Sequence, residues 1–175
     1  MKELVKDITI ALVFVGITLM FVRNTQVVGI SMSPSFEERD YLLVSRQSYN
    51  HAEPARGDVI VFKSELVDSN GTRENLIKRV IGLPGDTVEV KNDKVYINGK
   101  LQSDSYTKER KTNGEVEVIV PEGYYFCLGD NRLHSVDSRY SAVGLISEDQ
   151  IVGKVIFRIY PFSKFGRIPQ VMSSN

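Results

Sequence analysis

Residues 76–97 read LIKRVIGLPGDTVEVKNDKVYI. Three short runs rich in β-branched residues are parted by Pro84-Gly85-Asp86 and by Asn92-Asp93, both turn signals. Val88-Glu89-Val90 and Lys94-Val95-Tyr96-Ile97 alternate apolar and polar positions across a two-residue connection, which predicts a hairpin. In the first run, strand alternation puts Leu76, Lys78 and Val80 on one face and Ile77, Arg79 and Ile81 on the other. Similar runs lie on either side: Tyr41 to Arg46, Asp58 to Lys63, Val116 to Val120, Tyr124 to Leu128 and Ile151 to Tyr160. Asn98-Gly99 marks another turn. Outside the N-terminus no stretch of ten or more residues keeps a helical period. The fold class expected is therefore mainly β. The polar stretches Ser64 to Asn75 and Gln102 to Gly114 read as surface loops, and the tail after Pro161 as loosely held.

The N-terminus is different. Ile8 to Val22, ITIALVFVGITLMFV, carries no charge, and Leu4 and Val5 extend the apolar stretch. A bilayer core needs about 20 apolar residues, and Lys6 can snorkel its amine to the interface. A cleavable signal peptide would have the right length, but Arg23-Asn24-Thr25-Gln26 offers no small-x-small cleavage site. An uncleaved membrane anchor is the expectation. Its orientation is left open by charge, because Lys2 and Lys6 before the run are matched by Arg23 and Arg39 after it.

Without the anchor, about 150 residues remain, enough for one domain with a sizeable core. Basic and acidic residues balance, 22 against 22. No cationic excess exists to neutralise phosphates, so no nucleic-acid partner is expected. The single cysteine, Cys127, excludes an internal disulfide, and its apolar run suits a buried strand position.

Three segments carry candidate chemistry. Gly29-Ile30-Ser31-Met32-Ser33-Pro34 holds a serine in a constrained turn, a weak signal alone. Lys78 stands on an apolar strand face. It could simply be a basic residue discouraging edge pairing. Alternatively, desolvation disfavours its ammonium form and makes it a neutral base. Lowering its pKa from ~10.4 to ~8 would cost about 3.3 kcal/mol of burial at ~1.36 kcal/mol per unit. Gly129-Asp130-Asn131-Arg132-Leu133-His134-Ser135-Val136-Asp137-Ser138-Arg139 follows an apolar run and is dense in hydrogen-bonding groups, as a fixed polar network requires. A Ser-His-Asp triad through His134 and Asp137 has no geometric support in that spacing. Two distant histidines and one apolar cysteine offer no zinc-ligand spacing, so no metal is expected.

In this order, behind an N-terminal anchor, the three segments resemble the type I signal peptidases, bacterial serine/lysine proteases, over most of Val27 to Phe162. The short length and single anchor resemble the Gram-positive form. The resemblance implies an antiparallel coiled-sheet catalytic domain over 24–163, behind an anchor helix over 1–23 and before a tail over 164–175. It implies Ser31 as nucleophile and Lys78 as base, with Ser135 hydrogen-bonding the lysine amine. Asp137 with Arg139, and Arg79 with Asp130, would form ion pairs. Val27, Met32, Phe36 and Ile77 would line pockets for small substrate side chains. Phe36 departs from the leucine common in the family, which puts pocket shape in question. Gly29 stands where some relatives carry a serine that helps bind the oxyanion, so the backbone N–H of Ser31 must serve, with that of Gly29 a second candidate.

The same resemblance implies signal peptides of exported preproteins as substrates, the lipid bilayer as a partner, no cofactor, a monomer, and a catalytic domain outside the cytoplasm. Geometry points to the same class of substrate: eight residues separate Val22 from Ser31, so the serine lies within about 30 Å of the end of the anchor. Three other readings compete. An inactive signal-peptidase-like factor could assist surface-fibre assembly. A self-cleaving LexA-like repressor would need a DNA-binding helical domain in place of the anchor. An adhesion module would need none of the three segments.

Overall fold

The computed structural model describes residues 2–168. Helix α1, Lys2–Phe21, leads directly into β1, Val22–Gln26. Among the described residues no helix is long and apolar enough to cross a membrane. Strand pairing thus begins at Val22, inside the segment assigned by sequence to the anchor.

Next come β2 (Tyr41–Ser45), β3 (Val59–Val67), β4 (Arg73–Gly82), β5 (Thr87–Lys91), β6 (Lys94–Ile97) and β7 (Lys100–Leu101). They are followed by β8 (Val116–Ile119), β9 (Tyr124–Leu128), β10 (Ile146–Ser147), β11 (Ile151–Tyr160) and β12 (Gly166–Arg167). All pairings are antiparallel. The larger sheet runs β1-β2-β11-β3-β4-β9-β10, with β12 also on β11; the smaller runs β7-β6-β5-β8. The predicted hairpin is β5–β6, and its two connecting residues, Asn92 and Asp93, have φ of 50° and 60°. Positive φ at both central residues is the type I′ turn whose twist matches that of the strands.

Alternation sorts the strands among three cores. Val59 and Val61 of β3 pack with Val27, Met32, Phe36 and Val44, while Ile60 and Phe62 pack with Val80, Tyr125 and Cys127. On β9, Phe126 and Leu128 face the smaller sheet, against Ile81, Val88 and Val120. The central strands are thus covered on both faces, which accounts for their near-continuous apolar runs.

Two expectations need correction. Ser64 to Asn75 is not simply a loop: β3 continues to Val67, and β4 begins at Arg73. The turn between them is tied by Asp68, whose Oδ1 accepts from the backbone N–H groups of Asn70 (2.8 Å) and Thr72 (2.9 Å). This end of the hairpin is largely exposed, so no core face imposes alternation on its sequence. The chain after Pro161 is also better held than expected: Phe165 packs edge-on against Phe157 at 4.8 Å, and β12 pairs with β11. The remainder of the expected tail, 169–175, lies outside the described residues.

Candidate active site

The turn after β1 is built by backbone hydrogen bonds. The N–H of Val27 donates to the Asp40 carbonyl (2.9 Å), and that of Ser33 donates to the Ile30 carbonyl (3.1 Å). Gly29 has φ +81°, a conformation costly for any residue with a Cβ. The turn presents Ser31 toward β4.

On β4, Lys78 is the cross-strand partner of Ile60 and lies between Leu76 and Val80 on one strand face. It is 2% exposed. Its Nζ donates to Ser31 Oγ at 2.9 Å. Burial pushes the Lys78 amine down to about 8 from the usual 10.5, partly opposed by the nearby Asp137 carboxylate. Desolvation penalises the ammonium more than these carboxylates stabilise it.

The loop after β9 closes the site from the other side. Asp137 accepts from the Gly129 N–H (3.0 Å) and, through both oxygens, from Arg139 Nε (2.8 Å) and Nη2 (2.9 Å). Arg139 also donates to the carbonyls of Arg132, Ser135 and Asn113. Arg79 forms a forked pair with Asp130, Nε to Oδ1 at 2.9 Å and Nη2 to Oδ2 at 2.6 Å. Both pairs are fully buried, a setting in which loss of one partner would strand a charge. His134 faces Asn131 while Asp137 is occupied by Gly129 and Arg139, so the two do not form a base–orienter pair.

The hydrogen bond expected between Ser135 and the Lys78 amine is not made. Ser135 Oγ is buried without a partner, and the amine is turned to Ser31 instead. Ser135 is nonetheless close by. A Cβ on Gly129 would lie 2.2 Å from Ser135 Oγ and 2.5 Å from the Ser31 carbonyl oxygen. Only glycine lets these groups approach, a constraint invisible in the sequence, where Gly129 reads as a loop residue.

Ser31 and Lys78 open into a cleft whose walls include Val27, Met32 and Ile77. The remaining walls, among them Gln26, Val28, Val61, Asn75 and Leu76, were not singled out by sequence. Phe36 is placed differently from expectation. It is fully buried beneath the cleft with Val27 and Met32, under the Arg158 guanidinium at 5.1 Å. The chain after Ser33-Pro34 turns back into the core, so the larger side chain adds to packing rather than to a wall. Finally, β9 pairs with β4 only from Arg79 onward. Among the described residues, the 73–78 portion of β4 is paired on one side only, by β3.

A family model described as signal peptidase, peptidase S26, matches residues 1–160. The chain is 37% identical over 166 residues to signal peptidase I U of Bacillus subtilis, covering 90% of this chain and 86% of that protein. It is 37% identical over 182 residues to signal peptidase IB of Staphylococcus aureus, covering 93% of this chain and 91% of the relative. Among solved structures, a signal peptidase I from Enterococcus faecalis is 35% identical, with a TM-score of 0.48, covering 59% of this chain and 97% of that one. With a family match across nearly its whole length and relatives at this identity, the chain belongs to the signal peptidase family, peptidase S26.

Proposed function

We propose that this protein removes N-terminal signal peptides from exported preproteins, with Ser31 as nucleophile and Lys78 as general base. The observation that carries the reading is the 2.9 Å contact between Ser31 Oγ and a buried Lys78 amine pushed down to about 8. In its neutral form Lys78 accepts the hydroxyl proton as Ser31 attacks the scissile carbonyl. The tetrahedral oxyanion is held by the backbone N–H of Ser31, a donor worth roughly 2.7–4 kcal/mol. The lysine then protonates the leaving amine and later activates water to release the acyl group. Ser135 orients the amine once Ser31 is acylated, and the Asp137–Arg139 and Arg79–Asp130 pairs hold the loop in place.

The substrate adds as an extended chain along the open edge of β4, with small side chains entering between Val27, Met32 and Ile77. The apolar run of α1 anchors the protein, which acts at the outer face of the cytoplasmic membrane where signal peptides emerge. The relatives' names, signal peptidase I U and signal peptidase IB, support this reading. The alternative, an inactive assembly factor, does not require the serine and lysine side chains to meet.

The purified protein, incubated with a preprotein reporter bearing an Ala-x-Ala junction, should cut after the second alanine. A bulky residue immediately before the cut should abolish processing. Ser31→Ala and Lys78→Arg should each lower cleavage at least 10³-fold, since a guanidinium is effectively never deprotonated. An inert wild type would favour the assembly factor, and an active Lys78→Arg would remove the lysine from the role of base.

A further inference from the structure

Asn131 is fully buried, and it holds the peptide groups on both sides of Ser31. Its Nδ2 donates to the Ile30 carbonyl at 3.1 Å, and its backbone N–H donates to the Ser31 carbonyl at 3.0 Å. Its Oδ1 faces His134 Nδ1 at 3.1 Å. The Ile30 carbonyl can only accept, which fixes which way the amide points. The Ile30 carbonyl is held a second time by the N–H of Ser33.

The consequence follows from peptide planarity. In a trans peptide the C=O and the following N–H point in opposite directions. Two donors hold the Ile30 carbonyl on one side, so the N–H of Ser31 is turned to the other. Among the described residues it has no hydrogen-bond partner. A donor stabilises an oxyanion fully only if it is already aimed where the charge develops.

We infer that Asn131 is a positioning residue, which through the Ile30–Ser31 peptide aims the Ser31 N–H at the developing oxyanion. The inference rests on the reading of Ser31 as nucleophile. It separates Asn131 from the base: the residue governs where the negative charge is received and leaves the removal of the proton alone.

Two variants test it. Asn131→Asp keeps the shape and the backbone bond to Ser31 but replaces the Nδ2 donor by an acceptor facing the Ile30 carbonyl. Asn131→Ala removes the side chain and keeps the same backbone bond. Each is assayed for kcat and KM on a signal-peptide substrate and for thermal unfolding. Affinity is measured for a peptide boronate, which forms a tetrahedral adduct on serine, and for an uncleavable peptide of the same sequence. The expected loss is on the order of 10–100-fold in kcat, part of the 10²–10³ that a whole donor carries. Boronate affinity should fall in proportion, with KM and uncleavable-peptide affinity unchanged in both variants, and with the pH at which activity half-disappears unchanged in Asn131→Ala, which adds no charge near Lys78.

The inference is overturned if both variants keep kcat within about twofold. It is equally overturned if uncleavable-peptide affinity falls as far as kcat, which is the mark of a merely structural role. Should Asn131→Asp fail to fold, Asn131→Ala decides by the same criteria. A wild type that neither cleaves nor forms the boronate adduct would instead sink the reading of Ser31, a result distinct from an active wild type beside unimpaired Asn131 variants.

Discussion

Lys78 shows how the surroundings of a side chain set its chemistry. A free lysine keeps its proton up to about 10.5, whereas this one, 2% exposed, is pushed down to about 8. With Lys78 as the proposed base, which must be unprotonated in the free enzyme, kcat/KM should fall about tenfold per unit as pH drops below about 8. The same shift has a cost in stability. The folded-state pKa lies below the unfolded value of 10.5, so protonation favours the unfolded chain. The penalty is complete below about 8 and is relieved as pH rises toward 10.5. Lys78→Met should therefore be inactive yet more stable at pH 7. The gain should be roughly 2 kcal/mol, namely about 3 from the ionisation less about 1 for the hydrogen bond to Ser31. Denaturant titrations at pH 7 and pH 10.5 check this, and a gain that did not shrink at the higher pH would speak against the ionisation account.

At the scale of elements, the same two-residue period does different work in different strands. In β3 and β9 both faces are buried, and successive residues feed separate cores. In β5 and β6 the alternation marks one buried face, and the turn completes the hairpin. Asp93 occupies a position with φ of 60°, where a Cβ costs energy and glycine does not. Its side chain is exposed and makes only a 3.8 Å contact with Lys111. Asp93→Gly should raise stability by roughly 0.5–1 kcal/mol, with kcat/KM unchanged. A lower unfolding midpoint would show that the unfolded-state entropy of glycine outweighs the relief of strain.

Considered whole, the molecule relates its N-terminal helix to its site through one row of the larger sheet. Lys78 pairs with Ile60, Ile60 with Lys154, Lys154 with Ser45, and Ser45 with Val22, the first residue after α1. Lys78, the proposed base, therefore lies level with the end of the helix along the strand direction, about four strand spacings, or roughly 19 Å, to the side. With α1 as the proposed anchor, a signal peptide ending at the membrane surface presents its junction at that level. External protease added to intact spheroplasts should digest residues 24–163. Protection until the cells are lysed would place the domain on the cytoplasmic side.

What could be read in the sequence was local. Lys94–Ile97, Tyr124–Leu128 and Ile151–Tyr160 were bounded correctly, because alternation against a core and turn chemistry are written in neighbouring residues. The family was legible too, in three short segments and their order. The outer β3–β4 hairpin and β1 were not, since strands that face little core carry no alternation to read. The site depended on assembly. Ser31 and Lys78 are 47 residues apart, and Asn131 reaches Ile30 across 101. Sheet register and the loop after β9 bring them together. The turn after Ser33-Pro34 sends Phe36 into the core rather than the cleft, and Gly129 owes its identity to the Ser31 carbonyl and Ser135 hydroxyl packed against it. Above all, the Lys78 amine is pushed down to about 8 only because folding has removed its water, and no property of residue 78 or its sequence neighbours can do that alone.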